Sequence, residues 1–355
     1  MTDGAATDRA ASLTTADALR RFTRDVFVAA GMSDAHAVTV ADVLVWADLR
    51  GVDSHGVTRI PMYVRLLDAG DLNPTPTITI RTDTPAAVVF EMDRAAGPVA
   101  MTTAAAAAIQ KARTAGIGFA LARGTTHTAA LGYYTSSAAR EGMAAIAFAG
   151  SVPMMAYHGA RAAGVSTSPI SIAVPGDRGP LVLDMATSVI SAGGLTQARK
   201  AGRALQPGLA LDANGVPTTD PAAATIPRPL GDHKGSGLSL MIECLTSLVA
   251  SNPIIADALK ASSGPHKQNG LVLAIDVARF ADPTVFRAEV ERLIAAVKAL
   301  PREPGVAEIL VPGERGDRSF ARRSREGIPI SRANFDDLAR VAGRFGVRLP
   351  EPYQV

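Results

Sequence analysis

Residues 50–61 read RGVDSHGVTRIP, and this stretch decides more about the chain than any other. It places His55 and Arg59 four residues apart. Residues at i and i+4 share one face of a helix, so we expect both side chains to reach one small ligand, provided that Pro61 leaves the first turn helical. A guanidinium binds a carboxylate through two parallel hydrogen bonds, and a neighbouring histidine can exchange a proton with an adjacent oxygen. The pair suits a ligand with a carboxylate beside a carbonyl or hydroxyl group, although surface and capping pairs share this spacing.

The composition is typical of a folded globular protein. The chain has 355 residues, 47% hydrophobic and 19% charged, which is enough to bury a large core in two closely joined domains. No apolar run approaches the roughly 20 residues that span a bilayer, and residues 1–11 lack the apolar segment of a signal peptide. The single cysteine, Cys244, excludes an internal disulfide and a cysteine-based metal cluster. We therefore expect a cytoplasmic protein without a metal centre or a membrane partner.

The formal net charge of +3 is concentrated near the C-terminus. Residues 315–325 contain five arginines and one aspartate, a local charge of +4, which leaves −1 for the rest of the chain. Because the sequence has no broad basic surface and no aromatic residues interleaved with basic ones, we exclude nucleic acid as a partner. We interpret the arginine cluster as a solvated segment, with a contact to a cofactor phosphate as the alternative.

Helix signals dominate the first 70 residues and recur later. The segment 97–115 carries the strongest signal, because Pro98 stands at its start, Gly116 follows its end and five consecutive alanines lie within it. The final helix is amphipathic and is expected to return onto the N-terminal helices. N-cap residues, helical spacing of apolar residues and terminal glycines predict helices at about residues 15–31, 33–51, 54–70, 97–115, 237–250, 283–299 and 334–345.

Beyond Pro74 short apolar runs predict the strands of a buried sheet. The runs cover residues 87–92, 117–122, 144–149, 170–174, 181–185, 271–277 and 307–311. The phosphate-binding fingerprint of a Rossmann domain is missing, because Gly116-Ile117-Gly118 lacks a third glycine and follows a helix rather than a strand. These patterns alone predict an α/β enzyme whose cofactor is undefined.

Residues 50–61, with Tyr63-Val64, Gly70 and Asn73-Pro74 beyond them, resemble the opening signature of the type-2 malate/L-lactate dehydrogenase family. That family includes ureidoglycolate and sulfolactate dehydrogenases, diketogulonate reductase and cyclic-imine carboxylate reductases, and the resemblance runs from about residue 14 to residue 329. It implies an α/β, α+β-like fold that binds a nicotinamide cofactor without a Rossmann domain, on a mixed, mostly antiparallel sheet flanked by helices. Residues 1–76 with 316–355 would form a helical substrate and dimerisation domain, and residues 77–315 the cofactor domain. The resemblance also implies a homodimer.

Further motifs resemble segments of the same family. His127, in TTHTAALGYY (residues 125–134), matches an active-site histidine, although Thr126 replaces the usual glycine. The remaining matches are Ser151-Val152-Pro153, Thr167-Ser168-Pro169, residues 184–188 (DMATS), residues 233–238 (HKGSGL) and residues 312–315 (PGER). The resemblance implies cofactor-binding roles for Ser151, Asp184, Met185, Ala186, Lys234, Gly313, Glu314 and Arg315, and substrate-binding roles for Arg59, Tyr63 and Thr167.

Three departures from the family pattern concern the cofactor segment. Gly193-Gly194 stands where the family usually has Gly-Lys, Leu209 replaces a common tryptophan, and Ser236 replaces a common tyrosine. The loss of one lysine and two aromatic residues leaves the choice of cofactor and its affinity open. It leaves the carboxylate-binding and proton-transferring groups in place.

The resemblance implies an NAD(P)-dependent oxidoreductase that moves a hydride between nicotinamide and a small 2-hydroxy acid or 2-oxo acid, with NAD slightly favoured over NADP. Arg59 would hold the substrate carboxylate, His55 would transfer the proton with a pKa near neutrality, and Ser54 would orient His55. His127 would be a second acid–base or a substrate ligand, and the sequence does not choose between the two histidines. One alternative is an NAD(P)H-dependent cyclic-imine carboxylate reductase. A second is a non-redox lyase, isomerase or ligand-binding relative that has lost the cofactor.

Overall fold

A computed structural model describes residues 12–261 and 267–351. Its strands are β1 Ser12–Thr14, β2 Thr79–Asp83, β3 Ala87–Glu91, β4 Ile117–Thr125, β5 Met143–Ser151, β6 Met155–Ala156, β7 Ala163–Val165, β8 Ile170–Val174, β9 Leu181–Met185, β10 Ala210–Leu211, β11 Pro217–Thr218, β12 Ile226–Pro227, β13 Gln268–Asp276 and β14 Ile328–Ile330. Its α-helices are α1 Ala16–Ala29, α2 Asp34–Leu49, α3 Ile60–Asp68, α4 Gly97–Ala115, α5 Gly132–Arg140, α6 Ala192–Lys200, α7 His233–Glu243, α8 Ile255–Lys260, α9 Pro283–Lys298, α10 Glu314–Glu326 and α11 Arg332–Phe345.

The central sheet has seven strands in the order β2-β3-β4-β13-β5-β8-β9. Only β3 and β4 pair in parallel, and every other neighbouring pair in this sheet is antiparallel. The predicted mixed, mostly antiparallel sheet flanked by helices is therefore confirmed. Six of the seven predicted apolar runs form its strands, because each of them has a neighbouring strand to pair with and a face to bury.

The seventh predicted strand, residues 307–311, is wrong. This segment pairs with no strand among the described residues and is largely exposed. Pro301 and Pro304 precede it and Pro312 ends it. A proline cannot donate a ladder hydrogen bond, so an apolar run placed between prolines at the surface has no route into the sheet.

The N-terminal and C-terminal segments pack together, as the amphipathic C-terminal helix predicts. Antiparallel pairing of β1 with β14 joins the two ends of the chain, and α11 contributes Leu338 and Val341 to the same core as α1, α2 and α3. The buried residues of this core continue beneath α4 and the central sheet. No described helix is long and apolar enough to cross a membrane.

Two helix predictions need correction, and a helix that was not predicted carries the arginine cluster. The helix predicted from Ser54 begins only at Ile60, after two short 3-10 turns at Asp53–His55 and Val57–Arg59, and Pro61 stands at its start, where the fixed φ of proline is accommodated. Helix α7 begins at His233, earlier than predicted, and passes into a π-turn at Cys244–Leu248. The arginine cluster lies on a helix, α10, whose arginines are exposed to solvent as expected, except for the buried Arg323.

Candidate active site

A cavity of about 310 Å³ lies where the loop before α3 meets the ends of several sheet strands. The loop contributes Ser54, His55 and Arg59 to one wall. The segment after β4 contributes His127, and α6 contributes its first residues. The remaining polar and strand-end lining residues include Ser151, Thr167, Asp184, Met185, Ala186 and Gln268.

The loop that carries His55 and Arg59 is not helical where the prediction required it. Gly56 separates the two 3-10 turns and has extended backbone (φ −88°, ψ −152°), so the argument from a shared helix face is wrong. The two side chains nevertheless line the same cavity, because the chain folds back at Gly56 against Asp48 of α2. A Cβ at Gly56 would overlap the Asp48 carboxylate, which accepts the Val57 N–H at 2.9 Å.

His55 is half-buried beside the cavity, and its Nδ1 lies 2.9 Å from Ser54 Oγ. Burial, and secondarily repulsion by the Arg59 guanidinium, lowers the pKa of His55 to about 3. The imidazole is therefore neutral near neutral pH while the cavity holds no anion. The predicted titration near neutrality is wrong for this state of the site.

The Arg59 guanidinium lines the cavity and is held there by its own loop. Its Nε donates to the Ser54 backbone oxygen at 2.6 Å, and its Nη1 lies 4.0 Å from the Met62 sulfur. Nη2 packs against Gly193 in the first turn of α6, where a Cβ would overlap it. Nη2 donates no hydrogen bond to a described residue, so it faces the cavity with hydrogen-bonding capacity to spare.

His127 stacks nearly parallel to His55, with the ring centroids 5.6 Å apart and an angle of 22° between the planes. The Ala129 N–H lies 3.3 Å from His127 Nδ1, which must accept this hydrogen bond, so the neutral ring carries its proton on Nε2. The Tyr63 hydroxyl donates to the His127 backbone oxygen at 2.7 Å and lies 3.2 Å from Nδ1.

Tyr63 does not line the cavity, so its predicted substrate contact needs correction. The side chain is fully buried behind His127, and burial raises the pKa of its phenol. Its hydroxyl remains a neutral hydrogen-bond donor and fixes the segment that carries His127. Tyr63 therefore supports a cavity residue rather than forming the cavity.

The rest of the cavity is lined by strand ends and polar side chains. Asp184, at the end of β9, accepts the Gly132 N–H at 2.8 Å. Asp184 is exposed where it opens onto the cavity. Desolvation by the protein packed around its carboxyl raises its pKa to about 6 against the opposing Gly132 amide and Arg50. Gln268, at the start of β13, donates to Ser151 Oγ at 3.4 Å and accepts the Thr128 N–H at 3.2 Å.

Comparison with known proteins places the chain in a family. A family model described as malate/L-lactate dehydrogenase matches residues 14–339. The chain belongs to this family. It is 33% identical to the malate dehydrogenase of Pyrococcus horikoshii over 93% of this chain and 95% of the relative. The solved structure of that enzyme superposes with a TM-score of 0.86 over 95% of this chain and 96% of that one, at 32% identity.

Two further relatives differ from the first in their substrates. The L-sulfolactate dehydrogenase of Methanocaldococcus jannaschii is 32% identical over 92% of this chain and 95% of its own length. The solved structure of the Δ1-piperideine-2-carboxylate reductase of Pseudomonas syringae pvar. tomato is 29% identical, with a TM-score of 0.80 over 93% of this chain and 99% of that one. The chain is thus an oxidoreductase of a dehydrogenase family whose members generally use nicotinamide cofactors.

The lining of the cavity in this family member suits a nicotinamide group. Met185 and Ala186 line the cavity, and the next two hydroxyls, Thr187 Oγ1 and Ser188 Oγ, are buried with no hydrogen-bond partner among the described residues. Buried hydroxyls normally have partners, but neither of these two residues lines the cavity. The groups that can hold a carboxamide or a phosphate there are polar lining groups such as the Ser151 hydroxyl. The residues present therefore fit the cofactor that the family uses.

Four predicted cofactor residues of this dehydrogenase-family chain do not line the cavity. Lys234 is exposed at the start of α7, and its methylene groups pack near Gly231. Gly313, Glu314 and Arg315 stand at the start of α10, where Glu314 accepts hydrogen bonds from Lys298 Nζ at 2.7 and 2.6 Å. Glu314 instead lines a separate cavity of about 500 Å³ with Leu181 of β9.

Some site residues carry no sequence signal strong enough to identify them. Gln268 begins a strand that reads as apolar, Gly193 follows an unremarkable N-cap serine, and Arg323 lies in the arginine cluster. Their roles arise from contacts between segments that are far apart in the chain. Within residues 12–261 and 267–351, no group of histidine, cysteine and acidic side chains could hold a metal ion.

Proposed function

We propose that this protein is an NAD(P)-dependent oxidoreductase that interconverts a small 2-hydroxy acid and the corresponding 2-oxo acid. The observation that carries the proposal is the convergence of Arg59, His55 and His127 on one cavity that the Asp184–Ala186 segment also lines. A guanidinium supplies two-point binding of a carboxylate, and the two imidazoles lie close enough together to address one neighbouring oxygen.

The proposed roles follow from the protonation states of the two rings. Arg59 holds the substrate carboxylate through Nη2, which fixes the adjacent carbon and its oxygen against the histidines. When a hydroxy acid is oxidised, neutral His55 accepts the hydroxyl proton on Nε2, while its Nδ1–H donates to Ser54 Oγ. His127 donates its Nε2–H to the same oxygen. A nicotinamide held against the Asp184–Ala186 segment would supply the hydride chemistry in both directions.

The same electrostatics account for proton donation in the reverse reaction. A bound carboxylate neutralises the Arg59 charge that helps to lower the pKa of His55. The imidazole then takes up a proton more readily once a 2-oxo acid is in place and can release it to the carbonyl oxygen. Substrate charge and proton transfer are thereby linked at one site.

We propose NAD rather than NADP as the cofactor, with Ser151, Thr167, Asp184, Met185 and Ala186 around the nicotinamide. Lys234, Gly313, Glu314 and Arg315 would then act beyond the cavity, on more distant parts of the dinucleotide. Glu314 shares its own cavity with Leu181, which stands on the same strand as Asp184, about 10 Å along β9. A dinucleotide extended along β9 would span the two cavities.

The test is a fluorescence titration with NADH and with NADPH, followed by turnover of glyoxylate, pyruvate and oxaloacetate. We expect NADH to bind the more tightly and at least one 2-oxo acid to be reduced. Failure to bind either nucleotide would overturn the proposal and favour a non-redox member of the family. Binding of a nucleotide with reduction only of cyclic imines would favour a cyclic-imine carboxylate reductase.

A cyclic-imine carboxylate reductase is the second candidate, favoured by the low pKa of His55 in the free site. An imine nitrogen can arrive already protonated, so a neutral His55 would be no obstacle, and Arg59 would hold the carboxylate as before. Assays with piperideine- and pyrroline-2-carboxylate discriminate, because only the imine reaction should survive the replacement of His55.

We also propose a homodimer, in which residues 1–76 with 316–355 form the substrate and dimerisation domain and residues 77–315 the cofactor domain, and in which the interface extends from the dimerisation domain onto an exposed helix of the cofactor domain. A stripe of exposed apolar residues follows α7 and its π-turn at helical spacing: Leu238, Met241, Leu245 and Leu248. Such a stripe on a soluble chain is typical of a surface covered by protein. A second copy is the proposed occupant, because the stripe begins one turn after Lys234 and so continues from a predicted cofactor residue.

Introducing charge into the stripe should therefore separate the copies. Met241 and Leu248 are 55% and 51% exposed, so glutamate at both positions leaves the fold of one chain intact. Light scattering should show twice the chain mass for the wild type and the single chain mass for Met241→Glu/Leu248→Glu. Leu259→Glu on α8, which is equally exposed, is the control that should stay dimeric. A monomeric wild type, or a dimeric double variant, would contradict the assignment.

A further inference from the structure

The loop that carries His55 and Arg59 is held from outside the cavity by an arginine of α10. Arg323 is the buried residue of that helix, and its side chain is only 10% exposed. Its Nη1 donates to the Asp53 carboxylate and to the Asp48 backbone oxygen, and its Nη2 lies 3.3 Å from the second Asp53 oxygen. Its Nε is buried and has no hydrogen-bond partner among the described residues. Asp53 and the end of α2 therefore bind the Nη1 and Nη2 groups of this guanidinium.

Asp48 holds the same loop at a second point. It is buried near the end of α2, and its carboxylate accepts the Val57 N–H while Gly56 packs directly against it. The fixed points at Asp53 and Val57 bracket Ser54 and His55, and Arg59 follows two residues later. Neither aspartate nor Arg323 lines the cavity, so none of them is placed to touch a substrate.

We propose that Arg323 is a positioning residue, which sets the places of His55 and Arg59 in the cavity through its contacts with Asp53 and Asp48. The inference rests on the proposed function. The loop has two short 3-10 turns instead of a continuous helix, so its own backbone hydrogen bonds do little to fix it. A displacement of about 1 Å at reacting groups can cost on the order of 100-fold in rate. The external contacts supply the rigidity that the local structure lacks.

Replacement of Arg323 should therefore change kinetic constants rather than nucleotide binding. In Arg323→Met we expect KM for the 2-oxo acid to rise and kcat to fall, each about 10-fold, while the Kd for NADH stays within about two-fold of the wild-type value. Arg322→Ala, one position away on the exposed face of α10, is the matched control and should match the wild type. A purely structural role would lower kcat in proportion to the unfolded fraction and leave KM unchanged.

Two further measurements make the test decisive. Guanidinium chloride at millimolar concentration should restore part of the activity of Arg323→Ala, because the deleted group leaves a space beside the Asp53 carboxylate. If the Arg323 variants do not fold, Asp53→Asn is judged by the same criteria, because it keeps an oxygen acceptor and removes the ion pair. Unchanged KM and kcat in the folded variants, or a loss of kcat alone, would overturn the proposal.

Oxalate binding separates this inference from the proposed function. Trp46 is the only tryptophan of the chain and packs with Ala130, which lines the cavity, so its fluorescence serves as the probe. Wild-type protein that fails to bind oxalate would count against the Arg59 carboxylate site, and with it against both proposals. Wild-type binding that weakens in Arg323→Met and not in Arg322→Ala supports the positioning role without any turnover assay. Equal binding in all three proteins would overturn that role alone.

Discussion

Replacing His55 with alanine should lower kcat for a 2-hydroxy acid about 1,000-fold, within the range found for removal of a general acid–base group. The Kd for the nicotinamide cofactor should stay within about two-fold of the wild-type value, because His55 contacts Ser54 and His127, whereas the Asp184–Ala186 segment is the proposed nicotinamide site. Pre-steady-state hydride transfer, followed at the absorbance of the reduced nicotinamide, measures the step directly. His158→Ala, at an exposed position, is the control.

The pH profile gives this prediction a second readout. As a base His55 must be unprotonated, and because burial lowers its pKa to about 3, its protonation should not limit kcat/KM for oxidation above about pH 4. Asp184, with its pKa raised to about 6, is the cavity group that titrates closer to neutrality. An acidic limb near pH 6 should therefore vanish in Asp184→Asn. Two results together would show that the assigned protonation states are wrong. The first is an acidic limb that remains in Asp184→Asn, and the second is a wild-type limb near pH 6.5 that is lost in His55→Gln.

Replacing Arg59 with lysine should lower kcat/KM about 100-fold, through a higher KM and a lower kcat. An ammonium cannot reproduce the two-point contact of a guanidinium, and a lost hydrogen bond to a charged group costs about 1.5–3 kcal/mol. The shorter reach of lysine also releases the contact between Arg59 Nε and the Ser54 oxygen, which loosens the loop beside His55. Steady-state kinetics over a range of 2-oxo acid concentrations measures both constants. A fully active Arg59→Lys enzyme would remove the carboxylate-binding assignment.

A paired change in α6 tests the same guanidinium without touching it. Gly193→Ala places a methyl group where Arg59 Nη2 now lies, so we expect KM for the 2-oxo acid to rise about 10-fold as the guanidinium is displaced. Gly194→Ala is the matched control, because its methyl group meets the Ile190 side chain instead. The two variants gain similar helix propensity, so a difference between them reports the contacts of the new methyl group with Arg59 and with the adjacent Ser54. Equal KM values would show that Arg59 does not depend on the glycine.

Local signals in the sequence determined most of the regular structure. Helix α4 occupies the predicted residues 97–115, because a proline at its start, alanines throughout and a left-handed glycine after its end act within the segment itself. Strands β8 and β9 have the predicted bounds for a similar reason, since each apolar run ends at a residue that turns the chain. The resemblance to known dehydrogenases then gave the sheet type, which periodicity alone left open.

Only the tertiary structure decided how the catalytic loop is held. The sequence placed His55 and Arg59 together on a helix face, but at Gly56 the extended backbone packs against Asp48, and the two side chains meet because the loop folds back there. Arg323 reaches Asp53 across 270 residues of chain, and no local pattern distinguishes it from the exposed arginines beside it. The apolar run at 307–311 likewise carries a strand signal but has no neighbouring strand to pair with. Caps and periodicity are properties of a segment, whereas burial, pKa and pairing depend on what the rest of the fold brings beside it.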